Sequence, residues 1–402
     1  MPERCVGRKI DTHGPAWGWL SSSSSRRSTI VIGTLLNLIL VCHRNASGGR
    51  SLPRGGEHRA RSTVVLSLRM CGDSRVELTE VPEPIPAAGE VVIATALSVI
   101  CGSELHGFRG PGQGRGNSGH EGAGWVTAVG EGVDPSWIGR RVGACAVLGC
   151  GNCPECAAGH QTWCFQRGGA GNSHAEYFKI SVNGLRALDD DIGWEAGVLL
   201  SGDGFGVPWH TATKIAQLDA PTVAIWGAGP IGLGSVIMQA WRGRRVLVVE
   251  PSVWRRAAAL ERGAAAVFDP TAGDPVAWLK VECDDRGPEV CIEAAGRPET
   301  LIGCLEAVRS GGCVVLNGEQ GSVPLSPSDH FIRRDITVIG SWFYQDCEWP
   351  DMLAAYRAGL PVERLLTHQL PPQRAQEAWD LFAGGQTGKT ALVWHQSAPP
   401  GV

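Results

Sequence analysis

A glycine-rich turn between an apolar run and a helix-like segment is the feature that most constrains this chain. Residues 224–226 are apolar and lead into a segment with the spacing G-x-G-x-x-G. In a strand–turn–helix setting the first glycine makes the turn, the second lets a pyrophosphate approach the backbone, and the third permits close helix packing. The pattern predicts a dinucleotide site at a helix N-terminus, with purely structural glycines as the alternative. The predicted cofactor-binding residues of this turn are Gly227, Gly229, Pro230, Ile231 and Gly232.

The residue that ends the next predicted strand indicates which dinucleotide is bound. Glu250 ends an apolar run that begins at Val246, and it lies 23 residues after Gly227. A carboxylate at this point accepts hydrogen bonds from both ribose hydroxyls and repels a 2′-phosphate, which favours NAD over NADP. Arg255 is a further predicted contact, and because its positive charge suits a phosphate, NADP stays open as the alternative.

Strand-like and helix-like segments alternate between residues 204 and about 341. This alternation predicts a Rossmann-type, doubly wound parallel sheet with helices on both faces. By contrast, residues 64 to about 200 hold short β-branched runs punctuated by proline and glycine, which predicts an antiparallel, barrel-like β domain. A chain of 402 residues is long enough for two cores, so we expect an α/β protein of two domains.

The first 62 residues differ in composition from the rest. A run of five serines precedes Arg26 and Arg27, and a 14-residue apolar run extends from Thr29 to Cys42. That run is shorter than the roughly 18 residues needed to cross a bilayer. We predict a disordered extension or a mis-set start codon, with a targeting or anchoring segment as the alternative.

Charge and cysteine usage restrict the partners and the compartment. The formal net charge of −4 leaves no broad basic face for a phosphate backbone, so nucleic acid is not an expected partner. Membrane contact is not expected for the main body either. Of the 14 cysteines, four crowd into one loop, a spacing that suits a metal better than disulfides. These features indicate a reducing compartment, and we expect the cytoplasm.

The four crowded cysteines predict a structural zinc site. They are Cys150, Cys153, Cys156 and Cys164. A closed tetrahedral site needs four soft ligands at about 2.3 Å, and closed four-cysteine sites are structural. Because no coordination position is left open, we assign no chemistry to this zinc. Buried free cysteines or disulfides are the alternative.

A second, separated set of ligands predicts a catalytic zinc. Cys101 follows a predicted strand, and His120 lies 19 residues further on in a Gly-His-Glu-Gly segment. A catalytic zinc requires three protein ligands and one open position for a substrate oxygen. Asp203, near the edge of the nucleotide domain, is the best candidate for the third ligand. A turn or helix-cap role for this aspartate is the alternative.

The order of these motifs resembles that of the zinc-containing medium-chain alcohol and polyol dehydrogenases. The similarity extends from about Val64 to Trp394 and ends on Thr387-Gly-Lys-Thr-Ala-Leu-Val393. It implies a GroES-like β-rich catalytic domain, formed by residues 63–203 and 342–402, and an inserted Rossmann NAD-binding domain over residues 204–341. The extension, residues 1–62, has no counterpart in the family pattern.

The resemblance also implies roles for side chains near the catalytic zinc. Ser103 takes the alcohol proton and His106 carries it to solvent, while Glu121 matches the family's glutamate behind the metal. Glu104 stands where aspartate is usual in the family, and we expect it to orient His120. His174, like the stretch 108–118, is expected to be scaffold more than a substrate contact.

The function that the resemblance implies is hydride transfer between a secondary alcohol or polyol and NAD, giving an aldehyde or ketone. Two zinc ions per chain and a homodimer or homotetramer are expected. A zinc-free quinone or enone reductase on the same scaffold is one alternative, but such enzymes lack this ligand set. A non-catalytic, cofactor-binding structural protein is the other.

Overall fold

The structure, a computed structural model, describes residues 64–399, and the predicted extension lies outside this range. The first part of the described chain is built mainly of short strands. These strands are β1 (Val64–Gly72), β2 (Arg75–Pro82), β3 (Glu90–Val99), β4 (Gly122–Val129), β5 (Arg141–Ala144), β6 (Val147–Leu148), β7 (Gly168–Gly169), β8 (Tyr177–Ser181) and β9 (Leu185–Ala187). Two short helices, α1 (Leu105–Arg109) and α2 (Pro154–Ala157), interrupt them.

A parallel six-stranded sheet follows two helices, α3 (Trp194–Ser201) and α4 (Asp203–Lys214). Its strands are β10 (Thr222–Trp226), β11 (Arg245–Val249), β12 (Ala266–Phe268), β13 (Val290–Glu293), β14 (Cys313–Leu316) and β15 (Thr337–Gly340), connected in part by α5 (Pro230–Trp241), α6 (Val253–Glu261), α7 (Pro275–Val281) and α8 (Pro298–Ala307). The strand order is β12-β11-β10-β13-β14-β15, with every neighbouring pair parallel. The order reverses between β10 and β13, where a crevice for a ligand opens in such sheets. This confirms the predicted Rossmann-type sheet.

The rest of the chain returns to the first sheet. Its elements are α9 (Trp349–Arg357), β16 (Leu366–Leu370), α10 (Ala375–Ala383) and β17 (Lys389–Val393). The second large sheet has the order β16-β17-β3-β4-β5-β9, with β8 paired to β3. Strand β17 pairs antiparallel with β3, whereas β16 pairs parallel with β17. Within residues 64–200 all strand pairs are antiparallel, as predicted, and the parallel pair is confined to the returning segment.

The local sequence explains where the elements around the cofactor crevice begin. Strand β10 is an almost continuous apolar run because helices cover both faces of a parallel sheet. Helix α5 begins with Pro230 at its first position, where a missing N–H costs nothing. Helix α6 is capped by Ser252, whose hydroxyl accepts a hydrogen bond from the Arg255 N–H at 3.3 Å.

One apolar core connects the two large sheets. Val99 of β3 and Ile225 of β10 are both fully buried and belong to the same cluster, together with Phe205 of α4. Helix α4 therefore carries its first residue, Asp203, to a fixed place beside the β-rich part. Among the described residues, no helix combines the length and apolar character that a membrane crossing requires.

Candidate active site

The three separated ligands predicted from the sequence meet at one point in the structure. Cys101 follows the end of β3, His120 precedes β4, and Asp203 begins α4. The Cys101 Sγ lies 3.3 Å from the Asp203 Oδ2, and the His120 Nε2 lies 3.1 Å from the same oxygen. One ligand atom of each residue, and one of Glu121, lie within 4.8 Å of one another.

This donor set fits a zinc ion. Nitrogen and oxygen ligands at about 2.0–2.1 Å from a tetrahedral centre, with sulfur at about 2.3 Å, are separated from one another by about 3.3–3.6 Å. The two distances at Asp203 are close to that range. The side chains of His120 and Asp203 remain 16% and 21% exposed, so the cluster is accessible from solvent on one side. An open position for substrate is what separates a catalytic site from a structural one.

The cluster concentrates acidic groups around one imidazole. Burial by itself lowers the pKa of His120, but the Asp203 carboxylate and the Cys101 thiol outweigh burial and raise this pKa well above its ordinary value. Burial raises the pKa of Asp203, yet the hydrogen bond and charge of His120 bring it below its usual range. The imidazole of His120 and the carboxylate of Asp203 thus favour each other's charged forms.

A backbone carbonyl fixes the His120 ring. The His120 Nδ1 lies 2.9 Å from the Ser118 carbonyl oxygen, which can only accept, so Nδ1 carries the proton and Nε2 faces the cluster. Glu104, which we expected to orient His120, is connected to this ring through Ser118. Its carboxylate accepts the backbone N–H of Cys101 at 2.9 Å and the Ser118 hydroxyl at 3.3 Å.

Glu121 is completely buried beside the ligands, and its partner was not foreseen. One of its oxygens forms an ion pair with the Lys389 ammonium, and the other accepts the Gly204 N–H at 3.2 Å. Burial raises the pKa of Glu121, and the Lys389 charge opposes this effect. Lys389 lies in the segment 387–393, which supported the family resemblance. A single lysine among apolar residues was the sequence signal of a buried charge there.

Ser103 and His106 lie on the short helical turns that follow Cys101. A 3₁₀ turn covers Gly102–Glu104 and α1 begins at Leu105. Both Ser103 and His106 are exposed, so both can exchange protons with solvent. His174, by contrast, is fully buried and does not line a surface pocket.

The four-cysteine loop forms a second cluster. Each of its sulfur atoms lies within 4.8 Å of the others, and the Cys150 and Cys156 sulfurs are 4.0 Å apart. Four sulfurs around a zinc ion are separated by about 3.8 Å. The Cys153 sulfur also accepts the Cys156 N–H at 3.5 Å, and the Cys164 sulfur accepts the Cys150 N–H at 3.5 Å. Such N–H bonds stabilise thiolates, so this donor set also fits zinc.

The glycine-rich turn joins β10 to α5 at the crevice of the parallel sheet. Gly227 has φ of +92°, and a Cβ there would lie 2.9 Å from the Ala295 Cβ. At Gly232 a Cβ would collide with the carbonyl oxygen of Gly227, which shows the close helix packing. At Gly229 the nearest atom to a Cβ is the Arg255 Nη1 at 4.0 Å, so the turn leaves free space beside the helix N-terminus. The shape and the adjacent cation fit a pyrophosphate.

Glu250 and Arg255 flank this turn. The Glu250 carboxylate accepts the Ala228 N–H at 2.7 Å and the Ser252 N–H at 2.8 Å, so it is fixed at the end of β11. Burial lowers the pKa of Arg255, with Glu250 opposing, and the Arg255 Nε has no hydrogen-bond partner within the described part of the chain. Each oxygen of the Glu250 carboxylate retains a lone pair that can accept a hydrogen bond from a further donor.

Comparison with known proteins agrees with this geometry. The family described as zinc-binding dehydrogenase matches residues 230–358, and the alcohol dehydrogenase GroES-like domain matches residues 87–190. The L-threonine 3-dehydrogenase of Stenotrophomonas maltophilia (strain K279a) is 30% identical over 333 residues, covering 79% of this chain and 96% of that protein. The L-threonine 3-dehydrogenase of Symbiobacterium thermophilum is also 30% identical over 333 residues, covering 79% of this chain and 93% of that protein.

Solved structures show the same architecture. The alcohol dehydrogenase of Thermus sp. ATN1 superimposes with a TM-score of 0.74 at 26% identity, covering 82% of this chain and 99% of that one. The galactitol-1-phosphate dehydrogenase of Escherichia coli gives 0.72 at 27% identity with the same coverage.

The fold and the comparisons together define the class of protein: an oxidoreductase that acts on CH–OH donors. The chain belongs to the zinc-binding dehydrogenase family, with a GroES-like part and a Rossmann-type part. The predicted family, fold class and enzyme class are confirmed, and so is the expectation of zinc and a nicotinamide dinucleotide as cofactors.

Proposed function

We propose that this chain oxidises a secondary alcohol or polyol with NAD at a zinc ion held by Cys101, His120 and Asp203. The observation that carries the proposal is the meeting of one thiol, one imidazole and one carboxylate at a site that solvent can reach. A zinc ion held there supplies Lewis acidity, which lowers the pKa of an alcohol oxygen toward neutrality. The relatives named for L-threonine and galactitol 1-phosphate support a hydroxyl-bearing polar substrate.

The protein's own groups remove the alcohol proton. Ser103, two residues beyond Cys101, accepts the proton, and His106 on the next turn passes it to solvent. A histidine titrates close to neutral pH, which suits the end of such a relay. The buried Glu121 adds negative charge behind the three ligands.

The glycine-rich turn and its flanking charges bind the cofactor, which supplies the hydride acceptor when bound. The N-terminus of α5 and the guanidinium of Arg255 take the pyrophosphate, because both are positive and both border the free space at Gly229. Glu250 takes the ribose hydroxyls, which selects NAD over NADP.

The remaining assignments follow from the same arrangement. Cys150, Cys153, Cys156 and Cys164 hold a second, structural zinc. Residues 63–203 and 342–402 form the catalytic domain, and residues 204–341 form the cofactor domain. We further infer a homodimer or homotetramer, which the family resemblance implies. We place it in the cytoplasm, because the free thiols of the described residues suit a reducing compartment.

Metal content and turnover test the proposal together. Purified protein should contain two zinc ions per chain by elemental analysis, and it should reduce NAD in the presence of a secondary alcohol. Cys101→Ser should lose one zinc and all turnover, while Cys153→Ser should lose the other. A Cys101→Ser variant that keeps two zincs, or that still turns over alcohols, overturns the assignment.

A further inference from the structure

A fully buried histidine with no role in the proposed reaction lies behind the candidate metal site. His174 has no solvent exposure, and its two ring nitrogens are both engaged. The Nδ1 lies 2.8 Å from the Ser98 hydroxyl, and the Nε2 lies 3.3 and 3.1 Å from the two oxygens of Glu104. The Ser98 hydroxyl also accepts the Trp394 indole N–H at 3.0 Å. We call the four residues Trp394, Ser98, His174 and Glu104 the His174 network.

The chemistry of the end groups fixes the direction of these hydrogen bonds. An indole N–H can only donate, so the Ser98 oxygen accepts from Trp394 and has its own proton left for the His174 Nδ1. The neutral ring then carries its proton on Nε2 and donates it to the Glu104 carboxylate. Every polar group of the network is satisfied in this one arrangement, which is the condition under which a buried polar network rigidifies its surroundings.

The Glu104 end of the His174 network contacts Cys101 directly and is connected to His120 through Ser118. Glu104 accepts the backbone N–H of Cys101 and the hydroxyl of Ser118, and the carbonyl of Ser118 accepts the ring Nδ1–H of His120. A methyl group added at Gly119 would lie 2.6 Å from the His174 Cδ2, so the ring also sets the backbone immediately before His120.

We propose that the His174 network positions the metal ligands Cys101 and His120 relative to each other. This inference rests on the proposed zinc site and assigns a purpose to the buried His174 and to the acid Glu104, which it contacts. In most metal sites a carboxylate or carbonyl contacts the ligand histidine directly. Here the Ser118 carbonyl makes that direct contact with His120. Glu104 holds Ser118 through its hydroxyl, and His174 holds the Glu104 carboxylate in turn.

Two substitutions on β3, each of which removes one buried hydroxyl, provide a matched test. Ser98→Ala removes the middle of the His174 network and takes away the partner of the Trp394 indole N–H and of the His174 Nδ1, while His174 keeps its contact with Glu104. Thr95→Val is the control, because Thr95 is also fully buried on β3 but its hydroxyl has no hydrogen-bond partner among the described residues. The measurements are the rate of zinc release to a chelator, the visible spectrum after cobalt substitution, and the melting temperature.

Ser98→Ala should release the Cys101-dependent zinc about 10- to 100-fold faster than the parent protein, since loss of such outer contacts weakens metal sites by this factor. Its cobalt spectrum should shift, because the ligand geometry changes. Thr95→Val should match the parent in both readouts. His174→Phe should behave like Ser98→Ala, and His174→Gln, which can still donate to Glu104, should recover part of the parent's retention.

The outcomes separate this inference from the proposed function. If Ser98→Ala folds, keeps its cysteine-loop zinc and releases the other zinc at the rate of Thr95→Val, the positioning role is overturned while the zinc site stands. If His174→Phe fails to fold, the result with Ser98→Ala alone decides whether the His174 network has the positioning role. A parent protein with no Cys101-dependent zinc overturns both proposals at once.

Discussion

Lys389 forms an ion pair with Glu121 beside the candidate metal site, and neither side chain has any solvent exposure. The lysine also lies 3.4 Å from the Ile100 carbonyl oxygen. Burial alone lowers the pKa of Lys389, but the acidic groups of Cys101, Glu121 and Asp203 outweigh burial and raise this pKa. The ammonium therefore stays charged, and it offsets part of the negative charge gathered around the ligands.

Replacement of this lysine should be costly. Lys389→Met leaves the Glu121 carboxylate buried without its partner, and breaking a buried pair in this way costs about 3–5 kcal/mol. We expect the free energy of unfolding in urea to fall by about that amount. The double variant Lys389→Met/Glu121→Gln should recover part of the loss, since no buried charge then remains. A single variant within about 0.5 kcal/mol of the parent, the effect of an ordinary surface substitution, would contradict the buried pair.

This pair also marks the limit of what the sequence reveals. The candidate ligands Cys101, His120 and Asp203 could be predicted because each belongs to a residue type that binds zinc and because their order matches a family. Lys389 was visible as an isolated charge in an apolar segment, but its pairing with Glu121 could not be predicted, because the two residues are 268 positions apart and are brought together by the pairing of β17 with β3.

The contacts of Glu104 were hidden from the sequence for a related reason. Its identity as an acid close to Cys101 was visible, but its connection to His120 passes through the hydroxyl and the backbone carbonyl of Ser118. A carbonyl belongs to every residue, so sequence patterns do not show which one accepts a hydrogen bond. The alternation of strands and helices, in contrast, repeats over many residues, and this is why the parallel sheet was predicted well.

Loss of the structural zinc should lower the stability of the protein more than it lowers the activity of the catalytic site. The cysteine loop itself holds the chain after β15, since the side chain of Gln161, between Cys156 and Cys164, donates to the Tyr344 carbonyl at 2.8 Å and accepts the Asp346 N–H at 2.6 Å. Cys153→Ser should therefore lose one zinc per chain and melt at a lower temperature, while the zinc that depends on Cys101 is retained. Zinc analysis and calorimetry check this, and an unchanged melting temperature with one zinc lost would contradict it.

Loss of the proton relay should lower turnover without changing cofactor binding. Ser103→Ala removes the group that takes the alcohol proton, and loss of a general acid–base group lowers kcat by about 10²- to 10⁴-fold. Since Ser103 is exposed, stability should change by no more than about 0.5 kcal/mol. His106→Gln should lower kcat less, and added imidazole should restore part of it. Equal kcat values for Ser103→Ala and the parent, with hydride transfer shown to limit the rate by a deuterium isotope effect, would exclude the relay.

Cofactor choice should depend on one carboxylate. Glu250→Ser removes the acceptor for the ribose hydroxyls, and a hydrogen bond to a charged group contributes about 1.5–3 kcal/mol, so KM for NAD should rise about 10- to 100-fold. The same change removes the repulsion of a 2′-phosphate. The ratio of kcat/KM for NADP to that for NAD should therefore increase.

Arg255→Met serves as the control for this prediction, because a pyrophosphate contact is common to both cofactors and its loss should leave this ratio unchanged. If Glu250→Ser weakens both cofactors equally, the carboxylate supports the turn through the Ala228 and Ser252 N–H groups and does not select the ribose.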